Sequence, residues 1–248
     1  LAFADEGEGD PLVFVHAGIA DARMWQPQAE QFAGEWRVVC PDLRGFGGTA
    51  HGEGDYRHAA DLAGLFADLR LTPAVVVGAS MGGGVAIDFA LEHPDLVRGL
   101  VLVGATFGGF NFLEPELFDQ WRDLTDIYEA GRLDEAAVLE TEIWLGSDAP
   151  PEVSSEVVEM VRLSYDHSEI EESEAEAPAS ERLGELEMPA LIVLGEADRI
   201  DIARAADELL NSIPHARLVT VPGAAHLPSL EQPSVFNAVL DDFLAQLD

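Results

Sequence analysis

The chain has 248 residues, 48% of them hydrophobic, which suits one sizeable α/β domain and excludes global disorder. Aspartate and glutamate number 47 against 13 basic residues, for a formal net charge of −34, and every basic residue is an arginine. Such a field repels nucleic acid and anionic membrane surfaces, so neither is expected as a partner.

In chain order, a partial strand at residues 1–4 precedes a Gly-Glu-Gly turn, and residues 12–16 (Leu-Val-Phe-Val-His) form the first clear buried strand. Residues 37–40 follow as a strand holding the single cysteine, Cys40, which reads as a small core residue with no partner for an internal disulfide. Residues 59–71 set Leu62, Leu65, Phe66 and Leu69 on one helical face. Further strands are expected at 74–77, 99–103, 190–194 and 217–221. The last helix starts near Pro233, with Phe236, Val239, Leu240, Phe243, Leu244 and Leu247 as its apolar stripe. This alternation predicts a mostly parallel sheet flanked by helices.

The alternation lapses between residues 108 and 187. There the signals are helical (118–128, 133–145, 154–165), followed by an acidic run at 169–176 that reads as a solvated connector. The expected organisation is therefore an α/β core formed by 1–107 and 188–248, with a helical cap inserted at 108–187. No run reaches membrane-spanning length and no leader pattern is present, so a cytoplasmic location is expected. The chain begins at Leu1, and a short N-terminal piece is expected to precede it. A monomer or homodimer is expected.

Gly78-Ala-Ser-Met-Gly82 matches G-x-S-x-G, between the strand at 74–77 and a helix at about 81–92. A sharp strand-to-helix turn leaves no room for side chains at 78 or 82, and it lifts Ser80 Oγ to a helix N-terminus where negative charge is favoured. A phosphate loop is the alternative for so many glycines, but no G-K-[ST] or G-x-G-x-x-G occurs in the turn.

A serine nucleophile needs a base, and the base needs an orienting carboxylate. Of seven histidines, His226 alone lies in a small-residue loop between the last strand and the last helix. His16 suits a bend-stabilising role, while His51, His58, His93, His167 and His215 lie in contexts that read as structural or surface-like. Asp198 follows the strand at 190–194 and is the preferred acid. Glu196 and Asp201 are rivals, Asp201 being also a candidate cap for the helix that follows. The order Ser80, Asp198, His226 is that of α/β-hydrolase triads. The N–H of Met81 and that of Gly18 are the expected oxyanion donors, with Ala17 or Ile19 as alternatives to Gly18.

The chain thus resembles the α/β-hydrolase superfamily, through His16-Ala-Gly18, Pro41-Asp-Leu-Arg-Gly-Phe-Gly47, Gly78-Ala-Ser-Met-Gly-Gly83, Gly195-Glu-Ala-Asp198 and Gly223-Ala-Ala-His226. The resemblance implies Ser80 as nucleophile, Asp198 as acid and His226 as base, with no metal or organic cofactor, and a structural loop at Asp42 and Arg44. Residues 20–25 look like the 3-oxoadipate enol-lactonase branch, whose substrate is an anion. Against that branch stand the His16-Ala-Gly-Ile loop, the Glu-rich cap and the scattering of Arg122, Arg132 and Arg162. The expected substrate is instead a small, neutral, fairly apolar ester or lactone, and the expected activity that of a serine esterase or lactonase. Ile19, Phe107, Trp121 and Trp144 are expected to contact it; Phe110, Phe112 and Tyr128 are further candidates for the pocket wall. Perhydrolase or haloperoxidase-like chemistry, C–C bond hydrolysis, and non-catalytic ligand binding are the alternatives. Finally, an acidic surface without lysine resembles proteins of salt-loving organisms, so stability is expected to rise with KCl.

Overall fold

The computed structural model describes residues 1–71, 73–146, 149–166, 172, 173, 175 and 177–247. Its seven strands are β1 (Phe3–Glu6), β2 (Pro11–Val15), β3 (Arg37–Pro41), β4 (Ala74–Ala79), β5 (Val97–Val103), β6 (Ala190–Gly195) and β7 (Ala216–Val221). They form one sheet in the order β1-β3-β2-β4-β5-β6-β7. Only β1 runs antiparallel, pairing Phe3–Glu6 with Pro41–Val38; every other pairing is parallel.

Parallel strands covered on both faces read as continuous apolar runs, and all six residues of β4 are buried. Successive side chains leave the sheet on opposite sides. Leu12 and Phe14 of β2 join a core with Trp25, Phe236 and Leu240, while Val13 and Val15 join another with Leu62, Phe66, Ile87 and Phe89. The first core is closed by α1 (Gln26–Phe32) and by α9 (Pro233–Leu244), which follows the short α8 (Pro228–Glu231). The second is closed by α2 (His58–Leu69), α3 (Met81–Glu92) and α7 (Ile200–Ser212). Cys40 lies in the first core at 2% exposure, where burial pushes its thiol up to about 12.

Between β5 and β6 the chain forms α4 (Pro115–Glu129), α5 (Leu133–Leu145) and α6 (Pro151–Ser164), with no strand among the described residues of that interval. The two helices flanking α5 pack against it. The predicted strand at 1–4 is displaced to Phe3–Glu6. Its side chains are exposed, so no burial pattern marked its ends. The helix expected to reach residue 71 stops at Leu69, because Arg70 takes φ 57° and turns Leu71 back into the core. Most of the acidic run at 169–176 lies outside the described residues; within it Glu172 is exposed and also accepts the His58 N–H at 2.7 Å. No described helix is long and apolar enough to cross a membrane.

Candidate active site

Parallel strands all end on one edge of the sheet, and the loops beyond β2, β4, β6 and β7 meet there. After β4 the chain turns sharply into α3 at Ser80, with φ 50° and ψ −116°. Among the described residues only two non-glycine residues have positive φ, and such backbone costs about 1–3 kcal/mol when the surroundings enforce it. The enforcement is visible. The Ser80 N–H donates to Val103 O at 2.8 Å, and Ser80 O accepts the Gly83 N–H at 2.9 Å. A Cβ on Gly78 would strike the Gly82 carbonyl, and one on Gly82 would strike the carbonyls of Val15 and His16. The glycines are there because backbone passes where a side chain would be.

The loops after β6 and β7 are laced together by backbone. The Glu196 N–H donates to Val221 O (3.0 Å) and the Ala197 N–H to Ala224 O (2.9 Å). Gly195 lies so close to the Ala225 carbonyl that no Cβ fits between them. This lacing brings Asp198 under His226: Nδ1 lies 3.1 Å from each carboxylate oxygen, and Nε2 lies 2.9 Å from Ser80 Oγ. Side-chain exposure is 1% for His226 and 0% for Asp198. With Nδ1 protonated toward Asp198, Nε2 is the lone-pair nitrogen and accepts the Ser80 hydroxyl proton. The indole of Trp144 stacks on the imidazole, with centroids 4.5 Å apart and planes at 29°.

The rivals are engaged elsewhere. Glu196 accepts the Gly223 N–H, at 3.2 Å. Asp201 does not cap α7; it lies in that helix's first turn, accepts the Leu113 and Glu114 N–H groups at 2.6 and 2.8 Å, and pairs with Arg204. His16 is fully buried, its Nδ1 on Ala17 O at 2.8 Å while Nε2 accepts the Leu43 N–H at 2.9 Å, and burial lowers its pKa. Asp42 accepts the Ala22 and Gly48 N–H groups, and Arg44 forks onto Asp61.

A sequence model of the family described as alpha/beta hydrolase fold matches residues 10–233. The chain belongs to the alpha/beta hydrolase fold family. Similar proteins of that family differ in chemistry. The structure of a thermophilic esterase from Thermogutta terrifontis superposes with a TM-score of 0.78 at 29% identity, covering 99% of this chain and 93% of that one. An N-acyl homoserine lactone degrading enzyme gives 0.77 at 26%, covering 98% and 96%. A 2-hydroxymuconate semialdehyde hydrolase from a Pseudomonas species is 26% identical, over 98% of this chain and 90% of its own length.

In this alpha/beta hydrolase fold chain a cavity of about 440 Å³ opens at Ser80. All four residues expected at the substrate, Ile19, Phe107, Trp121 and Trp144, line it, as do Gly18, Met81 and Phe112. Gly18 and Met81 are immediate neighbours, since a Cβ on Gly18 would lie 3.5 Å from Met81 Sδ. Phe110 is absent from the lining and packs between Phe107 and Phe112, with the Arg204 guanidinium 5.2 Å from its centroid. Tyr128 faces a second cavity, of about 830 Å³. Among the described residues no cluster suited to a metal ion occurs.

Several site residues gave no signal in the sequence. Glu231, 7% exposed, accepts the Ala225 N–H at 2.9 Å and the Leu227 N–H at 2.8 Å, bracketing His226; burial raises its pKa against those two bonds. Asp88, Glu140 and Glu172 reach the inner cavity from elements distant in sequence, and burial pushes Asp88 up to about 6. His58 is not surface-like: it is 3% exposed, and burial pushes it down to about 4. Spacing along the chain could not have found them, because folding alone makes them neighbours.

Proposed function

We propose that the protein is a serine hydrolase that cleaves a small carboxylic ester or lactone, neutral and fairly apolar where it meets Ser80, through an acyl-enzyme. The observation that carries this reading is the continuous chain Ser80 Oγ, His226, Asp198, at 2.9 and 3.1 Å. His226 takes the hydroxyl proton as Oγ attacks the carbonyl carbon, and returns it to the leaving oxygen as the C–O bond breaks. Asp198 holds the tautomer and faces the imidazolium while it lasts. The Met81 and Gly18 N–H groups receive the oxyanion, and water, deprotonated by His226, then releases the acid. Residues 108–187 act as a cap whose Phe112, Trp121 and Trp144, together with Phe107 just before it, shape the acyl pocket. The esterase and lactone-degrading relatives support this substrate class. No arginine lines the inner cavity among the described residues, which argues against a substrate presenting a carboxylate there.

A fluorophosphonate probe should label wild-type protein at Ser80 and leave Ser80→Ala unlabelled. A panel of p-nitrophenyl esters of graded chain length, run beside neutral lactones, should give turnover that falls once the acyl group outgrows the inner cavity. Folded wild-type protein that neither labels nor turns over any member would make the fold a ligand-binding one.

A further inference from the structure

Beyond the cavity at Ser80 lies the larger one, and the two share Gly18, Met81, Glu140 and Glu172 in their walls. The far chamber is aromatic and acidic together: Phe46, Tyr56, Tyr128 and Tyr165 line it with Glu129, Glu140 and Glu172, and no arginine is among its described lining residues. We infer that this second chamber is a subsite for a cationic amine, in particular an alkylammonium group on the leaving portion of the substrate. The inference rests on the Ser80 hydrolase reading and extends it: the portion against Ser80 is neutral, and the charge sits one chamber away.

The geometry starts from α5. Glu140 and Trp144 are one helical turn apart on the same face, about 6 Å between their side-chain bases, and Trp144 is the residue stacked on His226. Glu140 and Ser80 thus line one cavity, with Trp144 between the carboxyl group's helix and His226. Tyr165 donates its hydroxyl to Glu140, and its ring lies 5.0 Å from that of Tyr128 in a T-shaped pair. Among the described residues no guanidinium pairs with Glu140, and burial raises its pKa against the Tyr165 hydrogen bond. An ammonium group entering here meets the carboxylate and two tyrosine rings, a combination that binds cations by charge and by the ring quadrupole.

A second observation is independent of the carboxylates. His58, 3% exposed, lines the same chamber, and its Nδ1 has no hydrogen-bond partner among the described residues. Held neutral by its burial, this imidazole adds no positive charge to the chamber. The Arg44 guanidinium lies 5.0 Å from the Tyr56 ring and is neutralised by Asp61 at 2.7 Å, so Tyr56 is a ring whose cation is resident. The Tyr128–Tyr165–Glu140 corner is the part left for a ligand.

Two arms test this. First, kcat/KM is measured for acetylcholine and for its neutral isostere, in which a quaternary carbon replaces the nitrogen. The cationic ester should be preferred by roughly tenfold, and Glu140→Gln and Tyr165→Phe should each pull that ratio toward one; because the ratio is internal to each variant, a general loss of folded enzyme cancels. Both esters cleaved alike by wild type, or the neutral one faster, would overturn the subsite while leaving the Ser80 reading intact. Second, calorimetry on Ser80→Ala should show phenyltrimethylammonium binding and benzenesulfonate not binding, with affinity for the cation reduced in the Ser80→Ala, Glu140→Gln double variant. This arm decides the subsite even if neither ester is cleaved and the fluorophosphonate fails to label, the outcome that sinks the hydrolase reading. Equal binding of cation and anion, or no effect of Glu140→Gln, would overturn the inference.

Discussion

The sheet edge that carries Ser80 and the helical stretch between β5 and β6 are built on opposite principles. At the edge, backbone fills the space: Gly78, Gly82 and Gly195 each face a carbonyl oxygen at a distance no Cβ tolerates, and Ser80 is held at positive φ by bonds to Val103 and Gly83. In the helical stretch, side chains fill it. The helices α4, α5 and α6 carry surface ion pairs such as Arg122–Asp119, Arg132–Glu135 and Arg162–Asp166, exposed and worth little individually. The edge leaves no room for a Cβ at these glycines, while these ion pairs of the helical stretch lie at its surface. In the proposed function, chemistry belongs to the first region and selectivity to the second.

Substitutions at the reacting groups should show the largest effects. His226→Ala and Ser80→Ala should each lower kcat by about 10⁶-fold, measured on an activated ester, with Tm little changed. A small loss in His226→Ala would break the assignment of chemistry to the edge. Next, Asp198→Asn should cost about 10⁴-fold while Glu196→Gln stays close to wild type, since Glu196 accepts the Gly223 N–H and not a proton of His226. The reverse pattern would transfer the acid to Glu196. Gly82→Ala should destabilise the fold by about 3 kcal/mol or more in urea unfolding, because neither the Val15 nor the His16 carbonyl can retreat. An alanine tolerated there would mean that the edge is less constrained than the contacts require.

Salt should separate the two regions. With a net charge of −34, raising KCl from about 0.1 M to about 2 M should raise Tm by several degrees. Hydrogen exchange at low salt should open amides of α4 and α6 before those of β4 and α3. Parallel exposure in both regions would remove the contrast. The smallest effect concerns Asp88, at the boundary of the inner cavity. Its folded pKa, about 6, lies above the ordinary carboxylate value, so the folded state holds the proton more tightly than the unfolded chain. Its contribution to stability is therefore present below about pH 4 and is lost as pH rises toward 6. Asp88→Asn should flatten Tm over that interval and raise it modestly above it, as followed by calorimetry across pH.

Legibility in the sequence follows the same division. Buried parallel strands announce themselves as apolar runs, and β2 to β7 appear within a few residues of their predicted places. The exposed β1 does not, since an edge strand with solvent on both faces carries no pattern of burial. Ser80, Asp198 and His226, the proposed triad, stand out in the sequence because each lies in a loop whose small residues leave room for one such side chain. Glu231, Glu140 and His58 were not, because a lone charged residue in a helix looks the same whether it faces water, a backbone N–H or a cavity.

The sequence by itself determined the alternating α/β architecture, the turn at Ser80 and the order of the three residues of the proposed triad, since apolar periodicity and glycine placement are local properties of the chain. Only the tertiary structure decided which carboxylate reaches His226, that Glu231 braces its loop, and that two cavities meet at Glu140. Those are distances between segments far apart in sequence. They are set by how strands register and helices pack, and no spacing along the chain encodes them.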